Sequence, residues 1–324
     1  MTLGRKAVET HDACERVAAP VRALPQSRYV LAVSGGRDSM VLLHAFLAWR
    51  TDAVAVATFD HGTGPAAERA ARLVESEGAR RSVPVVSGRR DDLTTTGEAA
   101  WREARWRFLS GWAKELSATV VTAHSCDDQL ETIVMRVLRD PRHTSARGLA
   151  AMYAPSPVAR PLLGVRRADI AAYAIANEVR FLDDPSNMDR GHLRNRVRLD
   201  LLPALERASQ GFGVDMLAIA RRAATWRESV ERVVDTLGIQ LLPPLVVPTA
   251  SLAPLPADAL ALLWPAIAAR AGITLDWRGT ERLVGFTKSG KPGGKIPLSG
   301  GAEVARTAST FVLKAPAPAD PLYS

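Results

Sequence analysis

Residues 34–39 are the first group whose types and spacing could do chemistry; they read Ser34-Gly35-Gly36-Arg37-Asp38-Ser39 and separate two apolar runs. Adjacent glycines let backbone N–H groups point into one concavity, and the start of a following helix adds partial positive charge. The segment therefore suits a phosphate tail, with the serine hydroxyls as further donors. A carboxylate fits beside such a tail only with a cation such as Mg²⁺ between them, so Asp38 is the candidate metal ligand.

The simpler interpretation of these residues is an Asp N-cap after a flexible turn. The two commonest phosphate-binding patterns are also missing, since there is no GxxxxGKS/T and no GxGxxG after the first apolar run. We favour the phosphate cradle because open α/β sheets bind ligands at the carboxyl ends of their strands, where this hexapeptide is expected to lie.

Residues 124–131 form a second cluster, which reads H-x-x-D-D-x-x-E. Asp127 and Asp128 precede Glu131 by four and three residues, so the three acids share one helical face. Ser125 as a helix cap, with acids in the first turn, would be ordinary helix chemistry. Three neighbouring carboxylates also repel one another unless a cation is present, which favours Mg²⁺ or a substrate ammonium group.

Polar residues end two further apolar runs. Asp60 and His61 close the second run, and His124 closes the fourth. One histidine at a strand end is usually structural, but two at the same edge of a sheet favour a functional site.

Arginines stand out in two places. Arg105 lies in a helical pattern among aromatic residues, where packing of its stem on Trp101 is the plain alternative to a catalytic role. Four arginines fall within residues 190–198; a solvated helix face is the alternative there to contacts with RNA phosphates.

Apolar runs alternate with helical patterns over the first 145 residues. Buried strands are predicted at 29–33, 53–62, 82–88 and 118–124, and helices at 7–24, 38–48, 65–78 and 97–116 and from 125 onward. Unbroken apolar strands that alternate with helices predict an α/β fold, with a doubly wound parallel sheet covered on both faces.

The alternation ends after about residue 145. A proline-rich connection at 154–163 precedes a helix at 165–177, long helices follow to about 237 and at 258–271, and 293–315 reads as two or three short strands. We predict an N-terminal helix at 1–27, a catalytic domain at 28–210, and a smaller, mainly helical domain at 211–324 with a short β element.

Composition narrows the classes of function. The net charge of +8 favours an anionic partner, with nucleic acid first. The two cysteines, Cys14 and Cys126, are far apart and suggest no disulfide framework, which fits a reducing compartment. The first residues lack the apolar core of a signal peptide and no run reaches 18 apolar residues, so we expect a cytoplasmic protein without a membrane partner.

The hexapeptide at 34–39 resembles the SGGxDS signature of the PP-loop ATP pyrophosphatases, which have an adenine nucleotide alpha hydrolase-like fold. The resemblance implies that residues 34–39 grip the pyrophosphate of ATP. It also implies that a substrate oxygen attacks the α-phosphate and that pyrophosphate is released.

Four later motifs resemble the tRNA(Ile)-lysidine synthetases within this superfamily. They are Glu98–Arg105 followed by Trp106, HxxDDQxET at 124–132, RPLL at 160–163, and DPSNMD with RNRVRLDLLP at 184–203. The match covers roughly residues 28–205. It implies that ATP adenylates O2 of the wobble cytidine, position 34, in an isoleucine tRNA with a CAU anticodon. The ε-amine of free lysine then attacks C2, forms lysidine and displaces AMP.

The resemblance implies roles for individual residues, in a reaction that uses ATP and Mg²⁺. Asp38, Arg105, Asp128 and Glu131 would be catalytic, and Asp128 and Glu131 would hold lysine. ATP would be bound by Ser34, Gly35, Gly36, Arg37, Asp38, Ser39, Asp60, His61 and His124, with Asp38 on Mg²⁺. The tRNA would be bound by Arg190, Arg194, Asn195, Arg196 and Arg198. The helical domain at 211–324 would bind tRNA or serve as a support.

Some features leave alternatives open. Residues 136–152 lack the glycine-rich opening usual in the family, which affects substrate gating around 139–147. A tRNA 2-thiolase is the nearest alternative, although such enzymes commonly use a CxxC pair. A GMP or NAD synthetase type of ligase and a regulatory nucleotide-binding protein are others. Whether the chain forms a homodimer is also left open.

Overall fold

The computed structural model describes residues 2–62, 64–89, 98–139, 146–154, 156–183, 188–241 and 244–314. The chain divides into two compact units. One consists of Met1–Pro141 with Gly148–Arg221, and the other of Arg142–Arg147 with Arg222–Ser324. The functional division at 210/211 stays a prediction.

A parallel sheet forms the centre of the first unit. Its strands, in the spatial order β3-β2-β1-β4, are β1 (Tyr29–Ala32), β2 (Ala53–Asp60), β3 (Val85–Arg89) and β4 (Thr119–Val121). Val30 pairs with Ala55 of β2 on one side and Val120 of β4 on the other. β1 is therefore an interior strand, and its continuous apolar sequence follows from that position.

The first unit contains the following helices: α1 (Thr2–Arg22), α2 (Arg37–Trp49), α3 (Pro65–Arg80), α4 (Glu98–Glu115), α5 (Cys126–Arg139), α6 (Ala146–Ala150), α7 (Arg167–Ala176), α8 (Leu193–Arg196), α9 (Leu202–Ala208) and α10 (Phe212–Asp235). Of these, α6 and α10 extend into the residues of the second unit. Short 3₁₀ turns lie at Ala151–Tyr153 and Pro161–Gly164, and a π-helical turn at Val197–Leu201 joins α8 to α9.

Both faces of the sheet are covered. Leu31 of β1 packs in the same core as Phe46 of α2 and Ile170 of α7, whereas Val30 packs in a core with Leu109 of α4. This confirms the predicted doubly wound parallel sheet. Because β2 and β3 lie on one side of β1 and β4 on the other, the winding reverses between β1 and β4.

The second unit is mainly helical with a small antiparallel sheet. Its helices are α11 (Thr249–Leu252), α12 (Ala257–Arg270) and α13 (Trp277–Ser289), and its strands, in the order β5-β8-β7-β6, are β5 (Leu245–Pro248), β6 (Lys295–Pro297), β7 (Glu303–Arg306) and β8 (Thr310–Lys314). Trp264 packs edge-on against Phe311 and donates a hydrogen bond to Thr287 Oγ1 at 2.9 Å. The predicted terminal strands are present, and β5 is a strand that the sequence did not predict.

Several predicted boundaries were wrong by a few residues. α1 begins at Thr2 rather than residue 7, and β4 ends at Val121 rather than 124. The pairing of β4 with β1 ends at Val121, and on the other side of β4 the Thr122 amide donates to Ala159 O at 3.0 Å. Within the described ranges, every helix is too short or too polar to traverse a lipid bilayer.

Gly35 fixes the turn after β1 in place. It has φ +83°, and a Cβ there would lie 2.8 Å from Ala70 O and 2.9 Å from Ala70 Cβ on α3. Its carbonyl accepts a hydrogen bond from the Leu182 amide at 3.0 Å. The turn is therefore held between α3 and the segment at Leu182, and only glycine fits there.

We expect Gly35→Ala to lower the free energy of unfolding by about 1–3 kcal/mol, because it combines a left-handed backbone with a collision against backbone atoms. Gly36→Ala is the matched control, since Gly36 has φ −77° and the nearest atom to a Cβ at that position would be Ser34 Oγ at 3.7 Å. Thermal unfolding of both variants provides the measurement. Equal midpoints would contradict this account of the turn.

Candidate functional site

A cavity of about 610 Å³ opens at the carboxyl ends of β1 and β4, where the winding of the sheet reverses. Open α/β sheets bind ligands at such a point, and the volume suits a nucleotide-sized molecule. The residues singled out from the sequence that line it are Ser34, Gly36, Arg37, Asp38, Ser39, His61, Arg105, His124, Asp128 and Arg198.

The glycine loop has the geometry of an anion cradle. The Ser34 amide donates to Ser39 Oγ at 3.1 Å, and Ser39 Oγ donates to Gly36 O at 2.8 Å, which closes the turn. Gly36 precedes α2, and no side chain caps this helix. The first amides of α2 therefore have no intrahelical acceptor beside the cavity, as an anion site requires.

Asp38 fits the role of a magnesium ligand. Arg37 Nε lies 3.4 Å from Oδ1 and Arg167 Nε lies 3.5 Å from Oδ2, so both contacts are long. Burial raises the pKa of Asp38 despite these arginines. Within the described residues, no three His, Cys, Asp or Glu side chains converge as metal ligands. A single carboxylate suits Mg²⁺ shared with phosphate oxygens and water.

The two polar residues at the end of β2, Asp60 and His61, have different roles. Asp60 Oδ1 accepts the Gly62 amide at 2.8 Å, and Arg89 Nε lies 3.7 Å from Oδ2, so Asp60 shapes the turn. Asp60 does not line the cavity, whereas the His61 ring does and lies 6.3 Å from the Trp101 ring. Only His61 of this pair is placed to meet a nucleotide.

His124 is buried beside the cavity, and its Nδ1 lies 2.8 Å from Thr122 Oγ1. Burial lowers the pKa of His124 to about 4; Asp128 opposes this shift, and Arg160, Arg105 and Arg194 add to it. The ring is therefore neutral at physiological pH and can donate or accept one hydrogen bond.

Asp128 and Ser125 form a capping arrangement at the start of α5. The Ser125 amide and hydroxyl donate to Asp128 Oδ2 at 2.9 and 2.7 Å, and the Asp128 amide donates weakly to Ser125 Oγ at 3.3 Å. One carboxylate oxygen thus caps the helix. The other oxygen, Oδ1, is directed away from the cap and meets arginine side chains.

Asp128 and Glu131 are surrounded by three guanidinium groups. Arg167 lies 3.0 Å from Asp128 Oδ1 and 3.0 Å from Glu131 Oε1. Arg194 lies 2.8 Å from Asp128 Oδ1 and 2.7 Å from Glu131 Oε2. Arg198 lies 2.7 Å from Glu131 Oε1. The Glu131 side chain is only 1% exposed, so a cation must accompany its charge.

Burial alone would raise the pKa of Asp128, but Arg167, Arg194 and the Ser125 hydrogen bonds outweigh it and lower that pKa. Burial opposes the same shift at Glu131, where Arg198, Arg194 and Arg167 lower the pKa. Both groups are ionised, and this part of the site is already organised around positive charge.

The remaining candidate residues of segments 124–131 and 190–198 have other contacts. Asp127 Oδ2 accepts the Arg167 amide at 2.7 Å, at the start of α7. Arg190 pairs with Asp200 at 3.2 Å, and Asn195 Nδ2 donates to Asp189 O at 2.8 Å. Arg196 is exposed. Arg190, Arg194, Arg196 and Arg198 thus do not form one surface: Arg194 and Arg198 turn inward, and Arg190 and Arg196 outward.

Three buried donors on α4 and after the β4 edge have no acceptor in the described part of the chain. Within the described residues, Trp101 Nε1, Arg105 Nε and Arg160 Nε have no hydrogen-bond partner. Leaving such a donor unsatisfied costs about 1–3 kcal/mol. Burial, followed by the charges of Arg102 and Arg194, lowers the pKa of Arg105. Of the three residues, Arg105 lines the cavity, where its unused donor is suited to an anion.

Comparison with known families agrees with this geometry. A family model described as a PP-loop domain matches residues 9–205. The chain belongs to this PP-loop family. The prediction made from residues 34–39 is therefore confirmed.

Several tRNA(Ile)-lysidine synthases are similar to this chain. The chain is 39% identical over 220 residues to the synthase from Rhodopseudomonas palustris (64% of this chain, 62% of the relative). It is 36% identical over 218 residues to the synthase from Xanthomonas campestris (64% of this chain, 49% of the relative). It is 34% identical over 303 residues to that from Ralstonia nicotianae (85% and 62%). The chain thus spans about half to two thirds of the length of the curated relatives it matches.

A solved structure with the same fold is the U34-tRNA thiolase NcsA from Methanococcus maripaludis. It has a TM-score of 0.53 and 14% identity, over 69% of this chain and 81% of that chain. At this identity the likeness concerns the PP-loop fold alone.

Arg167 is the site residue that sequence reasoning missed. It lies within 3.5 Å of Asp38, Asp128 and Glu131, and so joins the PP-loop to the acidic helix. The residue pattern predicted α7 only as a plain helix. The sequence did contain one signal: the 124–131 motif has three acids close together. Buried acids need cations, so at least one cation had to come from elsewhere in the chain.

We expect Arg167→Gln to lower the free energy of unfolding by about 2–3 kcal/mol, because it removes one partner from a buried ion-pair network. Arg166→Gln is the matched control, since Arg166 is exposed and forms no ion pair within the described residues. Denaturation midpoints of the two variants provide the test. A loss in the control equal to that of Arg167→Gln would refute the assigned importance of the network.

Proposed function

We propose that the chain joins lysine to C2 of the wobble cytidine, position 34, of a CAU-anticodon isoleucine tRNA, with ATP and Mg²⁺, in the cytoplasm. The observation that supports this most is one cavity whose lining combines an anion cradle with Asp128, which shares its arginine partners with the buried Glu131. Polyphosphate and amine are the two charged groups that this reaction must hold together. The similarity to tRNA(Ile)-lysidine synthases adds support.

In the first step the cytidine O2 attacks the α-phosphorus of ATP and pyrophosphate leaves. The amides of residues 34–39 would hold the pyrophosphate. Asp38 would hold Mg²⁺, which neutralises charge on the leaving group. Arg105 lines the cavity and forms no ion pair within the described residues, so its guanidinium is free to stabilise charge on the α-phosphate.

In the second step the ε-amine of lysine attacks C2 of the adenylated cytidine, and AMP leaves. Only the neutral amine attacks, so a proton must first leave the ammonium group. Asp128 and Glu131 would bind the ammonium group and receive that proton. Both are weak bases while arginines surround them. When an arginine withdraws, burial dominates, the pKa of the carboxyl rises, and the carboxylate becomes a better base.

Arg194 and Arg198 link the amine site to RNA. Both lie in the 190–198 segment for which RNA contacts are predicted, yet both hold Asp128 or Glu131. We propose that they exchange these carboxylates for phosphates of the anticodon loop, so that one anionic partner replaces another. The exchange frees Asp128 and Glu131 for lysine after RNA has bound.

The cysteines give little support to a thiolase. Cys126 is buried, and burial raises the pKa of its thiol, so thiolate formation is disfavoured. Cys14 lies on α1, where its sulfur accepts a hydrogen bond from Asn177 at 3.6 Å. The two thiols belong to different elements, and neither lines the cavity.

Labelled lysine offered with ATP, Mg²⁺ and the CAU isoleucine transcript tests the proposal. We expect label in the RNA, and a fall of at least about 100-fold for Asp128→Asn or Glu131→Gln, the size usual for loss of proton transfer. Asp127→Asn is the matched control on the same helical turn, because Asp127 accepts from a backbone amide that asparagine can also bind.

Exchange of labelled pyrophosphate into ATP, dependent on tRNA, separates the two steps. Asp128→Asn should retain this exchange, which also shows that the variant is folded, whereas Asp38→Asn should lose it. The proposal fails if the wild-type protein leaves the RNA unlabelled. The amine-binding role fails if Asp128→Asn forms lysidine at the wild-type rate.

The exchange of arginine partners predicts an order of binding. We expect labelled lysine to bind at least about tenfold more tightly when tRNA and a non-hydrolysable ATP analogue are present, because free protein keeps Arg194 and Arg198 on the carboxylates. Equilibrium dialysis with and without the RNA measures this. Equal lysine affinity in both conditions would contradict the exchange.

A further inference from the structure

Two arginines near the cavity have no role in the proposed mechanism. We call Arg102 and Arg160 the arginine cluster. Arg102 lies on α4, one turn before Arg105, and Arg160 follows a residue that bridges to β4. The Arg160 side chain holds a buried Nε–H group that has no acceptor within the described residues.

Backbone pairing places Arg160 at the edge of the sheet. Ala159 bonds to both sides of Val121, donating to Val120 O at 2.9 Å and accepting from the Thr122 amide at 3.0 Å. The chain at 159 therefore extends the sheet beyond β4, and Arg160 emerges near His124, whose pKa its charge helps to lower. α4 packs across β2, β1 and β4, and Arg102 is close enough to Arg160 for its charge to act on that guanidinium.

The cluster is positively charged without compensation. Within the described residues, neither Arg102 nor Arg160 forms an ion pair with any acid, while burial and then the charge of Arg102 lower the pKa of Arg160. The Arg102 and Arg105 guanidinium carbons each lie 5.9 Å from the Trp106 ring centroid. A buried arginine with an unused donor and a second arginine nearby, neither paired with an acid within the described residues, form a site suited to an anion.

We propose that Arg102 and Arg160 bind an RNA phosphodiester adjacent to the reacting base. This inference rests on the proposed function, in which an RNA base enters the cavity. A base inside the cavity stays joined to neighbouring nucleotides, so the phosphates of those nucleotides must lie at the rim of the cavity.

The chemistry favours RNA over the tail of ATP. The PP-loop amides and Asp38 already provide for a nucleotide tail at β1, whereas Arg160 lies beyond β4, at the outer edge of the sheet. Arg102 is exposed, so its guanidinium can reach a ligand that remains mostly in solvent. Arginine planes with aromatic rings are typical of single-stranded RNA recognition.

Arg102→Gln and Arg160→Gln test the site in the full chain. The probes are the anticodon stem-loop of the CAU isoleucine tRNA and, separately, ATP, with affinities measured over a series of KCl concentrations. We expect each variant to bind the stem-loop about tenfold more weakly. The slope of log K against log salt should fall by about 0.7–0.9, the value for one phosphate contact.

Two further variants keep the test specific. Arg107→Gln is the matched control, because Arg107 is exposed on the same helix and pairs with Glu103 at 3.3 Å. It should bind RNA as the wild type does. Arg160→Lys retains the charge without the planar fork, so it should restore the salt slope but only part of the affinity.

The outcomes separate this site from the proposed function. Unchanged stem-loop affinity and salt slope in both glutamine variants would overturn the site, even if lysidine forms normally. Weaker ATP binding with unchanged RNA binding would also overturn it and assign the cluster to nucleotide phosphates. If the wild type transfers no lysine but Arg102→Gln still loses one phosphate contact, the proposed reaction fails and the RNA site stands.

Discussion

The ion pairs of Asp128 and Glu131 with Arg167, Arg194 and Arg198 are the interaction on which the rest of the site depends. Glu131 is almost fully buried, and its arginine partners follow it by 36, 63 and 67 residues. A buried carboxylate is costly without such partners. α5, α7 and the segment 193–201 must therefore come together in one arrangement, and Asp38 is connected to it through Arg167.

The topology of the sheet explains why opposite charges can coexist within this small space. The PP-loop leaves β1 toward one face, while α5 follows β4 at the other side of the winding reversal. Amide dipoles and carboxylates thus approach the cavity from different strands. A site for polyphosphate and a site for an amine can then be adjacent without one neutralising the other, because a guanidinium, that of Arg167, lies between them.

Local features of the sequence predicted much of this structure. The glycine loop, the four parallel strands and the acidic face of α5 are set by residues close together in the chain, so spacing reveals them. The role of Arg167 was not predicted because its partners are 36 to 129 residues away, and no periodicity records such a pairing. β5 was not predicted because it forms a strand only by pairing with β8, some 65 residues later. The inward turn of Arg194 was hidden for the same reason: an arginine-rich run reads as surface until its acids are located.

The π-helical turn Val197–Leu201 has a consequence for how this region can vary. A π turn holds one residue more than the α-helical geometry on either side. Deleting one residue would restore regular helix and rotate Arg194 by about 100° relative to α9, away from Glu131. Residues in this turn can be substituted more readily than residues can be added or removed. Insertions and deletions should therefore be rarer in this stretch than substitutions.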